Sequence, residues 1–584
     1  MKNIFKLILM ILFPGSLLFQ YSCSEDFLTK EPPGVAAGSA LESDAGVEAL
    51  LIGAYSTLQG FSRFGGAMGT DWTYGSGASD ECYKGTSSGD QTNFNAVERY
   101  ECLPSNPYMR DRWRDCYNGV SRANQVLKFL KTTQAGSSPL TDARAKEVEG
   151  EAKFLRAWFH FKANRIFEKI PYIKTIDEMG GKLPDEIPND SEGWDEIEAD
   201  LQFAIDNLPE SYNKQPGRAT KYAAMAVKAH AHLYQNEHSL AKTLLDAILA
   251  SGKYSLVSNY YDNYDETKEN NKESIFEIQA QTSAVNHSAL LLAGPSMHQV
   301  GPAGIGWGFY QPSQTLFEAF QVTDAGLPVL DINQRVPLAN DMNVESSAEF
   351  HPTDHLLDPR VDWTISRRGI DFLGWGISQG KSWIREQPNG GPYMTKKFMH
   401  LAANKGMQMY GKGFDNNRNF RAYRLAHVIL WRAECAIEDG ELDKARQLIN
   451  QVRERAKGSD VVMGLCTTYK LDKPNAITVD WTKPAANYKV EPYPADSPVF
   501  ASKEEARKAV RMEIMLEFAT EGHRFFDLRR WGIANEVLND YIARDSKFRN
   551  FMKGAVYNPT EDDYWPIPQD QVDIQPSIKQ DPAY

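Results

Sequence analysis

Apolar residues recur every three or four positions along several long stretches of the chain, a spacing typical of helices with a buried face. In residues 148–166 the apolar face is wide, which predicts a helix buried on two sides that ends before Pro171. The same spacing predicts a helix pair at about 221–235 and 238–250, with Gly252 ending the second helix. The chain is therefore expected to contain long, mutually packed helices.

A second helix pair is predicted at about 421–438 and 441–456, divided at Asp439-Gly440. A further helix is predicted at about 503–519, with Ser502 as its N-cap. Small residues occur where the paired helices would touch, as they do in tetratricopeptide units. The pairs are not repeated at a strict interval, so a regular solenoid is not expected.

Long segments rich in Gly, Asn, Asp, Tyr and Trp separate the helical blocks, at 60–106, 254–320, 340–420 and 457–500. Ordinary loops are much shorter, and long ones often carry function. The pattern therefore predicts a mainly α fold. Tetratricopeptide-like helix pairs form its scaffold, and a large, irregular, loop-rich face carries only a few short strands.

The beginning of the chain has the pattern of an export signal. Lysines precede an apolar run at 7–19, which is too short to span a membrane. We predict a signal peptide at 1–22 and lipidation of Cys23, although Gln20 stands where lipoprotein signals usually carry an aliphatic residue. The alternative is an ordinary secretory signal with an incidental cysteine.

The remainder of the chain divides into a tether and a folded part. Residues 23–34 are acidic and contain Pro and Gly, which predicts a short lipidated tether. Residues 35–584 are predicted to form a single α-helical domain, with an N-terminal part at about 35–255 and a C-terminal part at about 256–584.

Charge limits the possible partners. The 584-residue chain has a formal net charge of −13, and removal of Lys2 and Lys6 with the signal peptide would make it −15. An acidic chain lacks the basic surface that binds nucleic acid. It is also not attracted to anionic lipid, so membrane attachment would depend on the N-terminal lipid.

Cysteines and histidines give little sign of a metal site. Cys82, Cys102 and Cys116 are close in sequence and one pair could be oxidised outside the cell, but an odd number of remaining cysteines argues against a full disulfide framework. His230 and His232 are two residues apart on a predicted helix and would point to different sides. We predict no metal and no cofactor.

An acidic segment near residue 262 leaves two interpretations open. Asp262, Asp265 and Glu266 could supply oxygen ligands to calcium. A solvated acidic loop is the other interpretation.

Aromatic, glycine-rich segments are the strongest local indication of function. Flat rings can stack on the apolar faces of sugar rings, while nearby polar side chains bind the hydroxyl groups. The alternative is that these rings anchor loops on the scaffold. The candidate ligand-binding residues are Trp72, Tyr74, Asp80, Trp307, Tyr310 and Trp375. No catalytic signature is present, so we predict that the protein is not an enzyme.

Several longer motifs resemble the SusD/RagB family. Its signature is similar to residues 511–532, which read RMEIMLEFATEGHRFFDLRRWG. The other similar stretches are 113–124, 151–157, 273–278, 358–360, 424–434, 445–455 and 565–568. The resemblance extends over nearly the whole chain after the predicted signal peptide.

The resemblance implies a specific biology. Members are mostly α-helical outer-membrane lipoproteins of Bacteroidetes with four tetratricopeptide-like pairs. They cover a SusC-like TonB-dependent transporter and deliver oligosaccharides or other nutrients without hydrolysing them. The resemblance also supports Cys23 as the lipidation site and Ser24-Glu25-Asp26 as a surface-export signal.

The sequence thus predicts a cell-surface lipoprotein that captures glycans for such a transporter. A peptide or another nutrient is the alternative cargo within the family. A surface glycoside hydrolase is the less favoured alternative. Binding residues of the family are not fixed by a motif, so none is transferred to this chain.

Overall fold

A computed structural model describes residues 41–60, 70–280, 308–407, 418–471 and 476–584 of the protein. The predicted signal peptide, the tether and Cys23 lie outside the described residues. Trp307 also lies outside them.

The protein is mainly α-helical, as predicted, with short strands. The α-helices are α1 (Asp44–Tyr55), α2 (Thr92–Arg99), α3 (Pro107–Ala135), α4 (Asp142–Phe167), α5 (Trp194–Asn207), α6 (Lys221–Tyr234), α7 (His238–Ala250), α8 (Gln314–Ala319), α9 (Val361–Thr364), α10 (Gln387–Gly390), α11 (Leu425–Glu438), α12 (Leu442–Gly458), α13 (Lys503–Phe518), α14 (Arg524–Arg530), α15 (Ala534–Asp545), α16 (Pro559–Asp562) and α17 (Gln569–Ile574). The strands are β1 (Cys82–Gly85), β2 (Ser274–Ile278), β3 (Phe309–Pro312), β4 (Ile365–Ser366), β5 (Met394–Thr395), β6 (Phe420–Arg424), β7 (Met463–Cys466) and β8 (Val479–Pro484).

Single turns of other helix types connect these elements. A π-helical turn occupies Trp72–Ser76. The 3₁₀ turns are Ser56–Gln59, Pro184–Glu186, Tyr260–Asn263, Ile332–Gln334, Gly380–Trp383, Ala402–Met407, Pro498–Ala501 and Asn550–Met552.

The strands form separate antiparallel pairs: β1 with β3, β2 with β6, β4 with β5, and β7 with β8. In the first pair Tyr83 lies opposite Gln311, and in the last Leu465 lies opposite Asp480. Each pair joins segments of the loop-rich part or fixes them on the helices. The strands therefore hold the irregular face and do not form a layer of their own.

The helices form a continuous array. α4 packs between α3 and α5, α5 packs on α6, and α6 pairs with α7. The array continues from α7 to α11, which contacts both α12 and α13. The largest hydrophobic cluster includes residues from Val47 to Ile578. The predicted division near residue 255 stays a prediction.

The predicted helix pairs are found at α6–α7 and α11–α12. The prediction was wrong at 421–424, because Phe420–Arg424 is strand β6 and pairs with Ser274–Ile278. Arg424 has extended backbone angles (φ −135°, ψ 164°) and precedes the first turn of α11. The partner strand lies far away in sequence, so the local apolar spacing could not distinguish the strand from the helix that follows it.

Helix α3 was not predicted from its pattern, although it contains 29 residues. It begins with an Asn106 cap and Pro107 in its first turn, a favourable start for a helix. Its buried face includes Arg112 and Asp115 as well as apolar residues. Buried charged residues break the apolar periodicity, so pattern reasoning missed this helix.

Helix α13 lies in a buried network of charges. The network comprises five cations and five carboxylates: Arg360, Lys397, Arg424, Arg453, Arg455, Glu273, Asp358, Glu513, Glu517 and Glu521. Glu517 is fully buried and pairs with Arg424 (2.5 Å), Arg360 (3.0 Å) and Arg455. Burial alone would raise the pKa of Glu517, but these arginines hold it well below its usual value.

The acidic segment near residue 262 is also held by ion pairs. Glu266 is buried and accepts hydrogen bonds from Arg418 (2.7 Å) and His400 (2.9 Å). Asp262 accepts a hydrogen bond from Lys268 (2.6 Å). Glu266 is therefore not a solvated carboxylate, and its oxygens are occupied by cationic and imidazole partners.

The three neighbouring cysteines do not form a bridge in this structure. Cys82, Cys102 and Cys116 are each buried as reduced thiols. Burial raises the pKa of the Cys116 thiol to about 12, so it is protonated and unreactive at neutral pH.

Candidate functional site

Three of the aromatic residues that the sequence suggested for ligand binding lie in the hydrophobic core. Trp72, Tyr74 and Tyr310 are each 0 % exposed. The Trp72 ring packs on Phe94 with a centroid distance of 4.9 Å and on Tyr310 at 5.2 Å. The Tyr74 hydroxyl donates a hydrogen bond to the backbone oxygen of Tyr108 (2.7 Å). A ring that is enclosed in this way presents no exposed face to a ligand, so the structure does not favour these three residues as ligand contacts, and their role stays a prediction.

The other suggested residues do not complete an exposed platform. Asp80 is 2 % exposed and accepts two hydrogen bonds from Arg524 (2.8 and 2.9 Å). Trp375 is partly buried and its ring N–H donates to the backbone oxygen of His400 (2.8 Å). Both side chains fasten loops to the scaffold, which is the alternative that the sequence left open.

A different pair of tryptophans borders an open cleft on the loop-rich face. The cleft has a volume of about 650 Å³. Its walls come from α9, the segment after β4, the end of α12 and the β7–β8 hairpin. The lining residues are Trp363, Asp371, Leu373, Lys396, Ser459, Asp460, Val461, Val462, Met463 and Trp481.

Trp481 provides the exposed wall of this cleft. It projects from β8 and is 56 % exposed, which is unusual for so large an apolar side chain. Its ring lies against Gly464 on the paired strand, where an added Cβ would be 2.7 Å from the ring. Gly464 also has φ +104°, which favours glycine. The glycine therefore lets the indole lie across the hairpin.

Trp363 provides the second, fixed ring. Its N–H donates a hydrogen bond to the backbone oxygen of Asp460 (2.8 Å). One face of the indole stacks on Tyr261, with a centroid distance of 4.9 Å and an angle of 29°. Trp363 is only partly buried and lines the cleft. It is therefore held in one orientation before any ligand arrives, which lowers the entropic cost of binding.

Polar groups with free bonding capacity lie beside the two rings. Asp371 accepts a hydrogen bond from the N–H of Gly374 through Oδ2 (2.7 Å). Its buried Oδ1 has no hydrogen-bond partner among the described residues. Lys396 donates to the backbone oxygens of Asp362 and Asp371 (2.6 Å each), and burial lowers its pKa to about 8. Asp371 therefore lines the cleft with one unpaired but enclosed oxygen, which a ligand hydroxyl would reach only after a local rearrangement.

The chemistry of the cleft suits binding better than catalysis. Two indole rings and a rim of carboxylate and hydroxyl groups match the alternating faces and edges of a sugar. Its described lining contains no histidine or cysteine that could act as a nucleophile or base. Asp371 and Asp460 are both present, so an acid–base pair must be tested by experiment.

A larger groove lies elsewhere on the protein. It has a volume of about 1190 Å³ and runs along α3, α4 and the segment at 171–178. Aliphatic side chains such as Val120, Leu127 and Ile173 line it, with lysines among the other lining residues. This lining lacks a pair of exposed indoles and is a weaker match to sugar rings.

Comparison with known proteins identifies the family. The sequence profile of the SusD family matches residues 272–584, more than half of the chain. The chain belongs to the SusD family. A second profile, described as starch-binding associating with outer membrane, matches residues 26–233.

Curated and solved SusD relatives are distant but extend over almost the whole chain. SusD-like protein P25 of Formosa agariphila is 24 % identical over 550 residues, covering 90 % of each chain. A SusD superfamily protein of Bacteroides vulgatus is 22 % identical with a TM-score of 0.65, covering 92 % of this chain and 99 % of its own. Surface glycan-binding protein A of Bacteroides thetaiotaomicron, solved with laminarihexaose, is 20 % identical with a TM-score of 0.64 and coverages of 93 % and 100 %.

These likenesses establish the SusD fold, and the second profile's description adds association with the outer membrane. Within the described ranges, no helix of this SusD protein has both the length and the apolar character needed to cross a bilayer.

Sequence reasoning missed both cleft tryptophans. Trp363 and Trp481 each stand between an aspartate and a threonine, as does the buried Trp72. The neighbouring residues therefore do not distinguish an exposed indole from one in the core. Only the folded chain brings these two rings, more than a hundred residues apart, to one cleft.

Proposed function

We propose that this SusD protein captures oligosaccharides in the cleft between Trp363 and Trp481 and passes them to an outer-membrane transporter. The observation that carries the proposal is that one fixed and one exposed indole border the same cleft. Membership of a family with glycan-binding relatives supports the same conclusion.

The affinity should be modest. A protein that releases its cargo to a transporter works best with dissociation constants of roughly micromolar to millimolar, or about −8 to −4 kcal/mol. Such values are consistent with one or two stacked sugar rings and a few hydrogen bonds.

The direct test is a panel of polysaccharides in native affinity gels, followed by calorimetry with the oligosaccharide of any retarding polymer. Laminarihexaose is the first probe, because a relative has been solved with it. We expect saturable binding that Trp481→Ala weakens. Failure of every glycan to bind, or unchanged affinity in that variant, would remove the cleft from consideration.

The hydrolase alternative is tested in the same samples. A binding protein leaves the oligosaccharide intact after prolonged incubation. Shorter products that disappear in Asp371→Asn or Asp460→Asn would instead identify the two carboxylates as a catalytic pair.

Peptide cargo is the second candidate, and the larger groove favours it. Aliphatic walls with lysines at Lys128, Lys146 and Lys174 suit a peptide with apolar and acidic residues. Binding of members of a peptide library, together with failure of every glycan to compete with them, would support this candidate.

Lipidation of Cys23 and delivery to a SusC-like TonB-dependent transporter complete the proposal. Mass spectrometry of the N-terminal peptide from native membranes tests the lipid, and Cys23→Ser should release the protein from the membrane fraction. Co-purification of a transporter barrel with the lipidated protein tests the partner. Recovery of the lipoprotein without a transporter after extraction in mild detergent would count against the proposed partner.

A further inference from the structure

Three potential metal ligands meet where α5 contacts the α6–α7 hairpin. His232 lies in the last turn of α6 and is 3 % exposed. Its Nδ1 is 2.7 Å from Oε2 of Glu237 and 3.5 Å from Oε1 of Glu198. One potential ligand atom from each of the three residues lies within 4.8 Å of the other two.

The hairpin turn brings Glu237 back to the histidine. Asn236 has φ +59°, a left-handed conformation that reverses the chain. The N–H of Glu237 then donates to the backbone oxygen of His232 (2.9 Å). Glu198 reaches the same point from α5, far away in sequence. The arrangement is therefore a product of tertiary packing.

Apart from His232, the part of the chain that the structure describes places no basic side chain against the two carboxylates. Among the described residues, no lysine or arginine nitrogen lies within 4.0 Å of Glu198 or Glu237. The amide of Gln235 donates to Glu198 (2.7 Å) but carries no charge. In contrast, the buried carboxylates around α13 are each paired with arginine or lysine. With a neutral imidazole, this site carries a charge of about −2, which a divalent cation would balance.

We propose that Glu198, His232 and Glu237 bind a zinc ion that joins α5 to the α6–α7 hairpin. Imidazole nitrogen and carboxylate oxygen are both zinc ligands, with bonds of about 2.0–2.2 Å. Tetrahedral ligands at such distances lie about 3.4 Å apart. The Nδ1–Glu198 separation of 3.5 Å fits this value, and the shorter Glu237 contact must open slightly.

The side chains permit that adjustment. The Glu237 side chain is 40 % exposed and the Glu198 side chain 20 % exposed. Both can rotate without disturbing the core, and the open side leaves room for water as a fourth ligand. His230, two residues earlier, bonds to the hydroxyl of Tyr423 (2.9 Å) and takes no part.

The test is calorimetric titration of zinc chloride into protein that has been treated with chelator and freed of its affinity tag. We expect one equivalent to bind. Glu198→Gln and Glu237→Gln should each weaken this binding by at least about tenfold. The matched control is Glu196→Gln, which removes the same charge from the same helix outside the site and should bind within twofold of the unmodified protein.

Thermal unfolding provides a second readout. Zinc should raise the unfolding temperature of the unmodified protein and of Glu196→Gln, because a ligand that binds the folded state stabilises that state. Zinc should not raise the unfolding temperature of Glu198→Gln, since this variant lacks one of the proposed ligands. Magnesium chloride should have no comparable effect, since magnesium prefers an all-oxygen octahedral site. Equal zinc affinity in Glu198→Gln, or no binding by about 1 mM zinc, would overturn the proposal.

Discussion

Replacement of Trp481 by alanine is the sharpest test of the cleft. The side chain projects from β8 into solvent and makes one wall of the site. Because it is 56 % exposed, its removal leaves no internal cavity. The substitution should therefore reduce ligand affinity while leaving the folded state almost unchanged.

The size of the effect follows from the exposed area. A tryptophan side chain presents up to about 250 Å², so 56 % exposure leaves roughly 140 Å² in solvent. A sugar ring stacked on one face would cover about half of that, or roughly 70 Å². At about 25 cal/mol per Å² this burial contributes about 1.8 kcal/mol, equivalent to roughly a 20-fold change in Kd.

Calorimetry with the cognate oligosaccharide measures this change. Phe548→Ala is the matched control, because Phe548 is also an exposed aromatic residue (39 %) but does not line the cleft. The unfolding temperatures of both variants should stay within about 1 °C of the unmodified protein, in line with surface substitutions. A loss smaller than threefold for Trp481→Ala, or an equal loss for Phe548→Ala, would refute the assignment of the cleft.

Three further predictions concern the interior. Glu517→Gln leaves buried arginines without their carboxylate and should cost about 3–5 kcal/mol, seen as a lower unfolding temperature. Glu504→Gln on the same helix is 80 % exposed and should cost less than about 0.5 kcal/mol. Burial raises the pKa of Glu81 to about 7, although the N–H of Thr520 donates to it. The folded state therefore loses stability as pH rises from about 4 to 7. The unfolding temperature of Glu81→Gln relative to the unmodified protein should rise between pH 5 and 8, and a pH-independent difference would contradict this. Trp72→Phe should destabilise the protein but leave glycan affinity unchanged, whereas a selective loss of affinity would restore Trp72 as a ligand contact.

The helical scaffold could be predicted from the sequence because its helices bury an apolar face within a single local segment. The predicted bounds of α6 and α7 agree with the structure to within one residue. The strand at Phe420–Arg424 could not be predicted in this way, since its partner lies more than a hundred residues away.

The candidate site was much less predictable. Trp72 and Trp481 are the same residue type, and both lie in polar or glycine-rich segments, yet one is 0 % and the other 56 % exposed. Exposure depends on what the rest of the chain places against a ring. Phe94 and Tyr310 pack against the Trp72 ring, whereas the paired strand places the small Gly464 against the Trp481 ring.

The sequence by itself determined the fold class, the helix pairs and the resemblance to the SusD family, because these depend on local periodicity and on long motifs. Tertiary structure decided which rings are free and which carboxylates are paired, because both depend on contacts between distant segments. His232 illustrates the difference. Its spacing from His230 argued against a metal site, and the two side chains do face different partners. Only packing of α5 on the α6–α7 hairpin brings Glu198 to His232, and no local pattern encodes that meeting.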